Sequence, residues 1–168
     1  MKTMTKEQFR EIAIKFRQAI IAAKDDGAFE SNDRMSLFPR GCCDDTADLF
    51  SHYLYREYHI ISERIDGTHY DENPENISSH SWQEVNGLVV DLTGSQPQFK
   101  YNSTYLNYNV DVYVGPKDKF HKLFEERRRE PCKGIEDLGT GCQNRMYHLY
   151  TIIKLYIKKL SYNTFPTS

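Results

Sequence analysis

The sequence predicts a single domain that combines α-helices with a β-hairpin. Its length of 168 residues is typical of one domain. Apolar residues repeat at three- and four-residue intervals near both ends of the chain, which predicts packed helices there. In the middle, Asn86-Gly87 separates two extended apolar runs, the strongest short signal for a hairpin. With no internal repeat, residues 1–168 are predicted to form one unit.

The helical pattern occurs four times. Thr5 and Gln8 form a capping-box pattern at the start of the first helix. The predicted helices cover residues 5–24, 44–58 and 117–129, and a last helix that begins at Cys142 or Asn144 and ends at Leu160. The predicted strands cover residues 60–65, 79–85, 88–93 and 110–114. Residues 28–37, 66–78, 94–108 and 131–141 are predicted loops, and the tail 161–168 is expected to be loose.

Charge and composition exclude several classes of protein. The formal net charge of -2 gives no basic field for nucleic acid. No apolar run approaches the roughly 20 residues that cross a bilayer, and the N-terminal segment mixes charged with apolar residues, unlike a Sec-type signal peptide. We therefore expect a cytoplasmic protein without nucleic-acid or membrane partners, although export by a route that needs no such peptide stays open. The oligomeric state is not predicted.

The 4 cysteines, at positions 42, 43, 132 and 142, are expected to be free thiols. No Cys-x-x-Cys pair occurs, so a structural zinc site is not expected. The pattern calls for no other metal or cofactor.

Residues 38–49, FPRGCCDDTADL, form the most informative segment of the chain. A turn at Pro39-Arg40-Gly41 is predicted to lead into a helix and to place Cys43 in its first turn. Unpaired backbone N–H groups and the positive end of the helix dipole favour a thiolate there. Asp44 and Asp45 follow directly, and their charges oppose a lowered thiol pKa. Sequence alone leaves this conflict open.

The predicted hairpin places a histidine beside a carboxylate. A two-residue Asn-Gly loop pairs Val85 with Leu88. Directly opposed residues share a face of the sheet, as do alternate residues of one strand, so one face carries His80, Trp82, Asp91 and Thr93. His80 and Asp91 are then diagonal neighbours. Such a pair suits general-base catalysis, with Asp91 orienting the imidazole and His80 accepting the thiol proton.

Two motifs, FPRGCCDDTADLFSHYL and HSWQEVNGLVVDLT, together resemble the papain-like superfamily in its transglutaminase-like branch. The resemblance spans roughly residues 38–96. It implies an α+β fold in which the nucleophile helix packs on an antiparallel sheet. It also implies a Cys43 nucleophile acting with His80 and Asp91 on amide or thioester carbonyls. The similar pattern Phe-Pro-x-Gly-x-Cys matches Cys43 rather than Cys42.

The oxyanion donor of papain-like enzymes, often a glutamine upstream of the cysteine, has no counterpart here. The backbone N–H of Cys43 and the side chain of Asn32 are possible substitutes, and Gln96 is a lesser candidate. Trp82 is expected to pack beside the site, and Cys132 and Cys142 are expected to be spectators. The segment EERRRE is expected to form a solvated helical face. The remaining histidines are expected to be surface or packing residues: His52, His59, His69, His121 and His148.

These observations predict an acyl-transfer enzyme that most simply hydrolyses amide bonds in a protein or peptide substrate, as a peptidase, amidase or deamidase. Hydrolysis ranks ahead of amine transfer because water needs no second binding site. Three alternatives stay open: transglutaminase-type amine transfer, a catalytically lapsed fold that acts as a protein-binding module, and an arylamine N-acetyltransferase-like enzyme.

Overall fold

A computed structural model describes residues 4–163 of the chain. Within these residues the fold is α+β, with four α-helices and an open, antiparallel five-stranded sheet. The helices are α1 (Lys6–Asp25), α2 (Cys43–Tyr58), the short α3 (Pro97–Lys100) and α4 (Thr140–Asn163). The strands are β1 (Ser62–His69), β2 (Ser78–Val85), β3 (Leu88–Asp91), β4 (Tyr113–Gly115) and β5 (Glu125–Cys132). Their order across the sheet is β4-β3-β2-β1-β5.

The predicted capping box starts α1. The backbone N–H of Thr5 donates to Gln8 Oε1 at 2.8 Å, and the backbone N–H of Gln8 donates to Thr5 Oγ1 at 3.2 Å. The buried side of α1 carries Phe16, whose ring lies 5.2 Å from that of Phe50 on α2. The first two helices therefore pack directly on each other.

The hairpin register agrees with the prediction. Val85 pairs with Leu88 across a turn in which Asn86 and Gly87 have φ angles of 52° and 75°. Gly87 tolerates this left-handed conformation because it lacks a Cβ. Strand β3 ends at Asp91, two residues earlier than predicted.

The two faces of the sheet are covered differently. Helices α1 and α2 bury one face, which includes Val85 and Val90, and α4 packs on α1 to complete this core. Segments after β3 cover the other face with aromatic rings, packed around Trp82 and Val89: Phe99, Tyr105, Phe120 and Phe124. His80 alternates with Ser81 along β2 and lies among these rings. The active-site prediction therefore concerns the aromatic side of the sheet.

The helix predicted at residues 117–129 is wrong. His121–Leu123 form only a single 3₁₀ turn, and Glu125–Cys132 form the edge strand β5. The edge of β1 explains the difference, because β1 extends to His69, into the predicted loop 66–78, and pairs with β5 along its length. The mixed charges of EERRRE form ion pairs on this exposed edge, among them Arg129 with Glu63 and Glu84 at 2.9 Å.

Other boundaries also differ. The strand predicted at 110–114 is the shorter β4, and the predicted loop 94–108 contains α3. The predicted linker 131–141 includes the end of β5. Helix α4 continues to Asn163, so residues 161–163 of the predicted tail are helical, whereas residues 164–168 lie outside the described part. No described helix is long and apolar enough to span a bilayer.

Candidate active site

Cys43 is the first residue of α2 and is partly exposed. No side chain caps this helix start, so its first-turn N–H groups are not taken up by a cap. The preceding turn is fixed by Gly41, which has a φ of 64° and donates its backbone N–H to Gln96 Oε1 at 3.0 Å. Cys43 therefore stands at an uncapped helix N-terminus, and a buried glutamine holds the turn that precedes it.

Cys42 differs from Cys43 in its burial, its hydrogen bonds and the direction of its pKa shift. Its side chain is fully buried, and its thiol donates to the carbonyl oxygens of Arg34 and Arg40 at 3.1 and 3.2 Å. Burial raises the pKa of Cys42 to about 12. Cys42 therefore has the contacts of a packing residue, and Cys43 stays the candidate nucleophile.

His80 and Asp91 form a buried pair, on one face as the register predicts. His80 Nε2 donates to Asp91 Oδ2 at 2.8 Å, and both side chains are inaccessible to solvent. Asp91 Oδ1 accepts from the backbone N–H of Thr93 at 2.9 Å and from its hydroxyl at 3.3 Å. Both carboxylate oxygens of Asp91 are therefore occupied by donors, which fixes the plane of the carboxylate.

Aromatic rings enclose the imidazole of His80. The ring centroids of Phe99, Phe120 and Phe124 lie 5.0, 5.6 and 5.6 Å from it, and Trp82 lies at 5.8 Å. Trp82 is therefore a packing residue beside the site, as expected. This apolar enclosure strengthens the electrostatic interactions among the few polar groups inside it.

His80 and Asp91 stabilise each other's charged forms. Burial opposes ionisation of each, but the charge of Asp91 and the hydrogen bond to it raise the pKa of His80. At Asp91, burial alone would raise the pKa, but the charges of His80 and His121 and their hydrogen bonds together hold the pKa of Asp91 well below its usual range.

At Cys43, burial favours the thiol form. A hydrogen bond to His80 and the positive charge of that imidazole outweigh burial and lower the pKa of Cys43. Asp44 acts in the opposite direction, but its effect is smaller. Asp45 is engaged by Arg34 at 2.9 Å and by Arg145 at 2.7 Å. The conflict that the two acidic residues posed in the sequence is thus resolved toward a lowered pKa of Cys43.

Gln96, the lesser oxyanion candidate, is fully buried in the site. Its Oε1 is held by the N–H of Gly41, and its Nε2 lies 3.4 Å from His80 Nδ1, the imidazole nitrogen not used by Asp91. Asn32 is exposed and lines a surface depression with Asp33 and Arg145. The structure therefore brings Gln96, and not Asn32, to His80.

Sequence reasoning missed His121. Expected to be an ordinary surface or packing residue, it is fully buried and donates from Nε2 to Asp91 Oδ2 at 3.0 Å. Its Nδ1 lies 2.6 Å from Asp118 Oδ1. The spacing Asp118-x-x-His121 was the only local signal, and it gave no indication of contact with Asp91. By contrast, His52 packs edge-on against Tyr150 at 4.7 Å, as a packing residue.

His80, Asp91 and His121 also have donor atoms within 4.8 Å of one another, a spacing that a single metal ion could use. Both imidazoles direct Nε2 to the same carboxylate oxygen, at 2.8 and 3.0 Å. These are hydrogen-bond distances, and we interpret the group as a hydrogen-bonded cluster.

Comparison with known proteins adds no relative. No protein-family model matches the sequence, and no curated protein or solved structure matches it. The α+β class and the geometry of the site are therefore the basis for assigning a function.

Proposed function

We propose that this protein is a papain-like cysteine enzyme of the transglutaminase-like type, which transfers an acyl group from an amide to Cys43 and then to water. One observation carries the proposal: a buried imidazole, His80, is hydrogen-bonded to Asp91 and interacts with the partly exposed thiol of Cys43, whose pKa it lowers. Helix α2, which starts at the thiol, packs on β1 and β2 as that type of fold requires.

The proposed first half-reaction forms a thioester. His80 takes the proton of the Cys43 thiol, and the thiolate attacks the carbonyl carbon of the substrate. The tetrahedral intermediate then collapses, the C–N bond breaks, and His80 returns the proton to the departing amine. Asp91 keeps the imidazole oriented and stabilises its positive charge during both proton transfers.

In the second half-reaction, His80 accepts a proton from water, and the resulting hydroxide attacks the thioester carbonyl. The C–S bond breaks, the carboxylic acid leaves, and Cys43 recovers its proton. Amine transfer would use the same thioester with an amine in place of water. Hydrolysis is the simpler proposal because it needs no binding site for a second substrate.

An oxyanion forms in both half-reactions, and Gln96 is the proposed side-chain donor. Because Gly41 holds Oε1, the amide is oriented with Nε2 toward the reacting groups. The backbone N–H of Cys43 supplies a second donor at the start of α2. We expect Gln96→Ala to slow acylation of Cys43 by about 10²–10³-fold, as loss of one oxyanion donor does elsewhere.

The control for Gln96 is Asn32→Ala, which removes an exposed amide of the same chemistry. Stopped-flow measurement of the acylation rate with p-nitrophenyl acetate compares both variants with the wild type. Equal rates in all three proteins would remove Gln96 from the oxyanion site, whereas slowing by Asn32→Ala alone would restore the other candidate.

The proposed function is tested by mapping the acyl group. The wild type, treated with p-nitrophenyl acetate at neutral pH, is expected to release a burst of p-nitrophenolate and to carry acetyl on Cys43 by tandem mass spectrometry. Cys42→Ala separates the two adjacent positions and is expected to retain the burst, because the Cys42 thiol is buried. A thiol at position 43 no more reactive than exposed Cys142 would contradict the proposal and favour the protein-binding module.

A further inference from the structure

His121 lies between two carboxylates. Its Nε2 is 3.0 Å from Asp91 Oδ2, and its Nδ1 is 2.6 Å from Asp118 Oδ1. A neutral imidazole has one N–H and one lone pair, so it could satisfy only one of these acceptors. The other contact would then place a lone pair against a carboxylate oxygen. Two carboxylate partners therefore require the doubly protonated, positively charged form of His121.

The surroundings of His121 agree with a held imidazolium. Asp118, on the preceding turn, also accepts the backbone N–H of His121 at 2.9 Å and the hydroxyl of Tyr108 at 3.0 Å. Besides Asp91 on β3 and Asp118, the titratable groups that face the ring are His80 on β2, Tyr108, and Tyr113 on β4, at 6.2, 6.0 and 5.4 Å between ring centroids. The two carboxylates outweigh burial and raise the pKa of His121.

Two imidazoles thus share one carboxylate oxygen. His80 and His121 both donate to Asp91 Oδ2, so the negative charge that stabilises protonated His80 is partly neutralised by a second cation. Like charges at this separation disfavour each other. In a cysteine–histidine–aspartate triad without a second histidine, this carboxylate oxygen would accept a hydrogen bond from His80 alone.

We propose that His121 is a positioning residue of the catalytic cluster. Asp118 holds it as an imidazolium, and in that form it fixes the position of Asp91 and reduces the stabilisation that Asp91 gives to protonated His80. This inference rests on the proposed function. Its consequence is that His80 releases its proton to the leaving group more readily than it would in the presence of Asp91 alone. The side chain of Asp118 is 24% exposed, so the buried cluster of His80, Asp91 and His121 is connected to the protein surface through Asp118.

The test is the pH dependence of Cys43 alkylation by iodoacetamide. The rate should show one inflection where the thiolate–imidazolium pair forms and a second, at higher pH, where His80 loses its proton. His121→Gln keeps a donor for Asp91 but removes the charge, and Asp118→Asn leaves His121 in place without its second carboxylate. Both are expected to raise the second inflection by about one pH unit. The matched control is His148→Gln, an exposed histidine, with no shift expected.

The outcomes separate the two proposals. The role of His121 is overturned if the second inflection of both variants coincides with that of the wild type, even if the thermal stability of the variants falls. If His121→Gln does not fold, the result for Asp118→Asn decides. A wild-type profile without a low-pH thiolate overturns the proposed function, and the role of His121 with it. Nitrogen NMR gives an independent readout: two ring N–H groups on His121 at neutral pH are expected, and a single one overturns the inference.

Discussion

Replacing Asp91 with asparagine is expected to slow acylation of Cys43 by about 10³–10⁴-fold. Both oxygens of Asp91 accept hydrogen bonds, Oδ1 from Thr93 and Oδ2 from His80 and His121. An asparagine must therefore turn an NH₂ group toward donors on one side. His80 can adapt only by accepting at Nε2, which moves its proton to Nδ1, the nitrogen that must take the proton of Cys43.

The acylation rate with p-nitrophenyl acetate measures this effect, with Cys43→Ala as the background. The matched control is Asp25→Asn, an aspartate whose side chain is 65% exposed, with no change expected. A rate for Asp91→Asn within tenfold of the wild type would show that Asp91 does not set the tautomer of His80.

The same substitution is expected to reduce the free energy of unfolding by roughly 3 kcal/mol, because it breaks a buried ion pair. The lowered pKa of Asp91 contributes stability above about pH 3.9, its unfolded value, which is lost at lower pH. The raised pKa of His80 contributes stability that is complete below about pH 6.5 and is lost as the pH rises toward about 10. The difference between wild type and variant should therefore be largest between about pH 4 and 6.5, as measured by urea unfolding.

Replacing Arg64 with methionine is expected to lower the free energy of unfolding by about 3–5 kcal/mol. The guanidinium is 4% exposed and binds Asp48 on α2, Asp66 at 2.7 Å, and the backbone carbonyl of Asp44 at 3.3 Å. It therefore ties the start of α2 to β1, beside the strand that carries His80. Without it, the largely buried carboxylate of Asp48 loses its direct ion pair, and among residues 4–163 only the more distant charge of Arg128 still favours its ionised form.

Restoring neutrality should recover most of this loss. Arg64→Met combined with Asp48→Leu removes both charges, while Asp66 keeps Arg128 at 3.4 Å. The matched control is Arg127→Met, which removes an exposed arginine paired with Glu125 and is expected to cost under about 1 kcal/mol. Urea denaturation of the four proteins measures the effect. A double variant no more stable than Arg64→Met would show that the loss comes from packing of the arginine and not from the unpaired carboxylate.

Strand β5 shows where a periodic pattern misleads. Phe120 and Phe124 are four residues apart and both are buried, as a helix would require, yet they flank a single 3₁₀ turn. The following charged residues satisfy helix-like and strand-like spacing equally well, because neither face of β5 is buried until Cys132. The open edge of β1 decides between them, and that edge is more than 50 residues away in the sequence.

The sequence by itself determined the features that depend on near neighbours. These include the capping box at Thr5, the hairpin register around Asn86-Gly87, and the position of Cys43 at a helix start. Each is fixed by hydrogen bonds or backbone angles within a few residues.

Only the tertiary structure decided which groups meet at the site. It buried Cys42 and left Cys43 accessible, it brought Gln96 to His80, and it placed His121 against Asp91. These contacts join residues 16 and 30 positions apart, and they depend on how the segments after β3 fold back over the sheet. Local propensity carries no information about such contacts, since burial and charge pairing are properties of the packed chain.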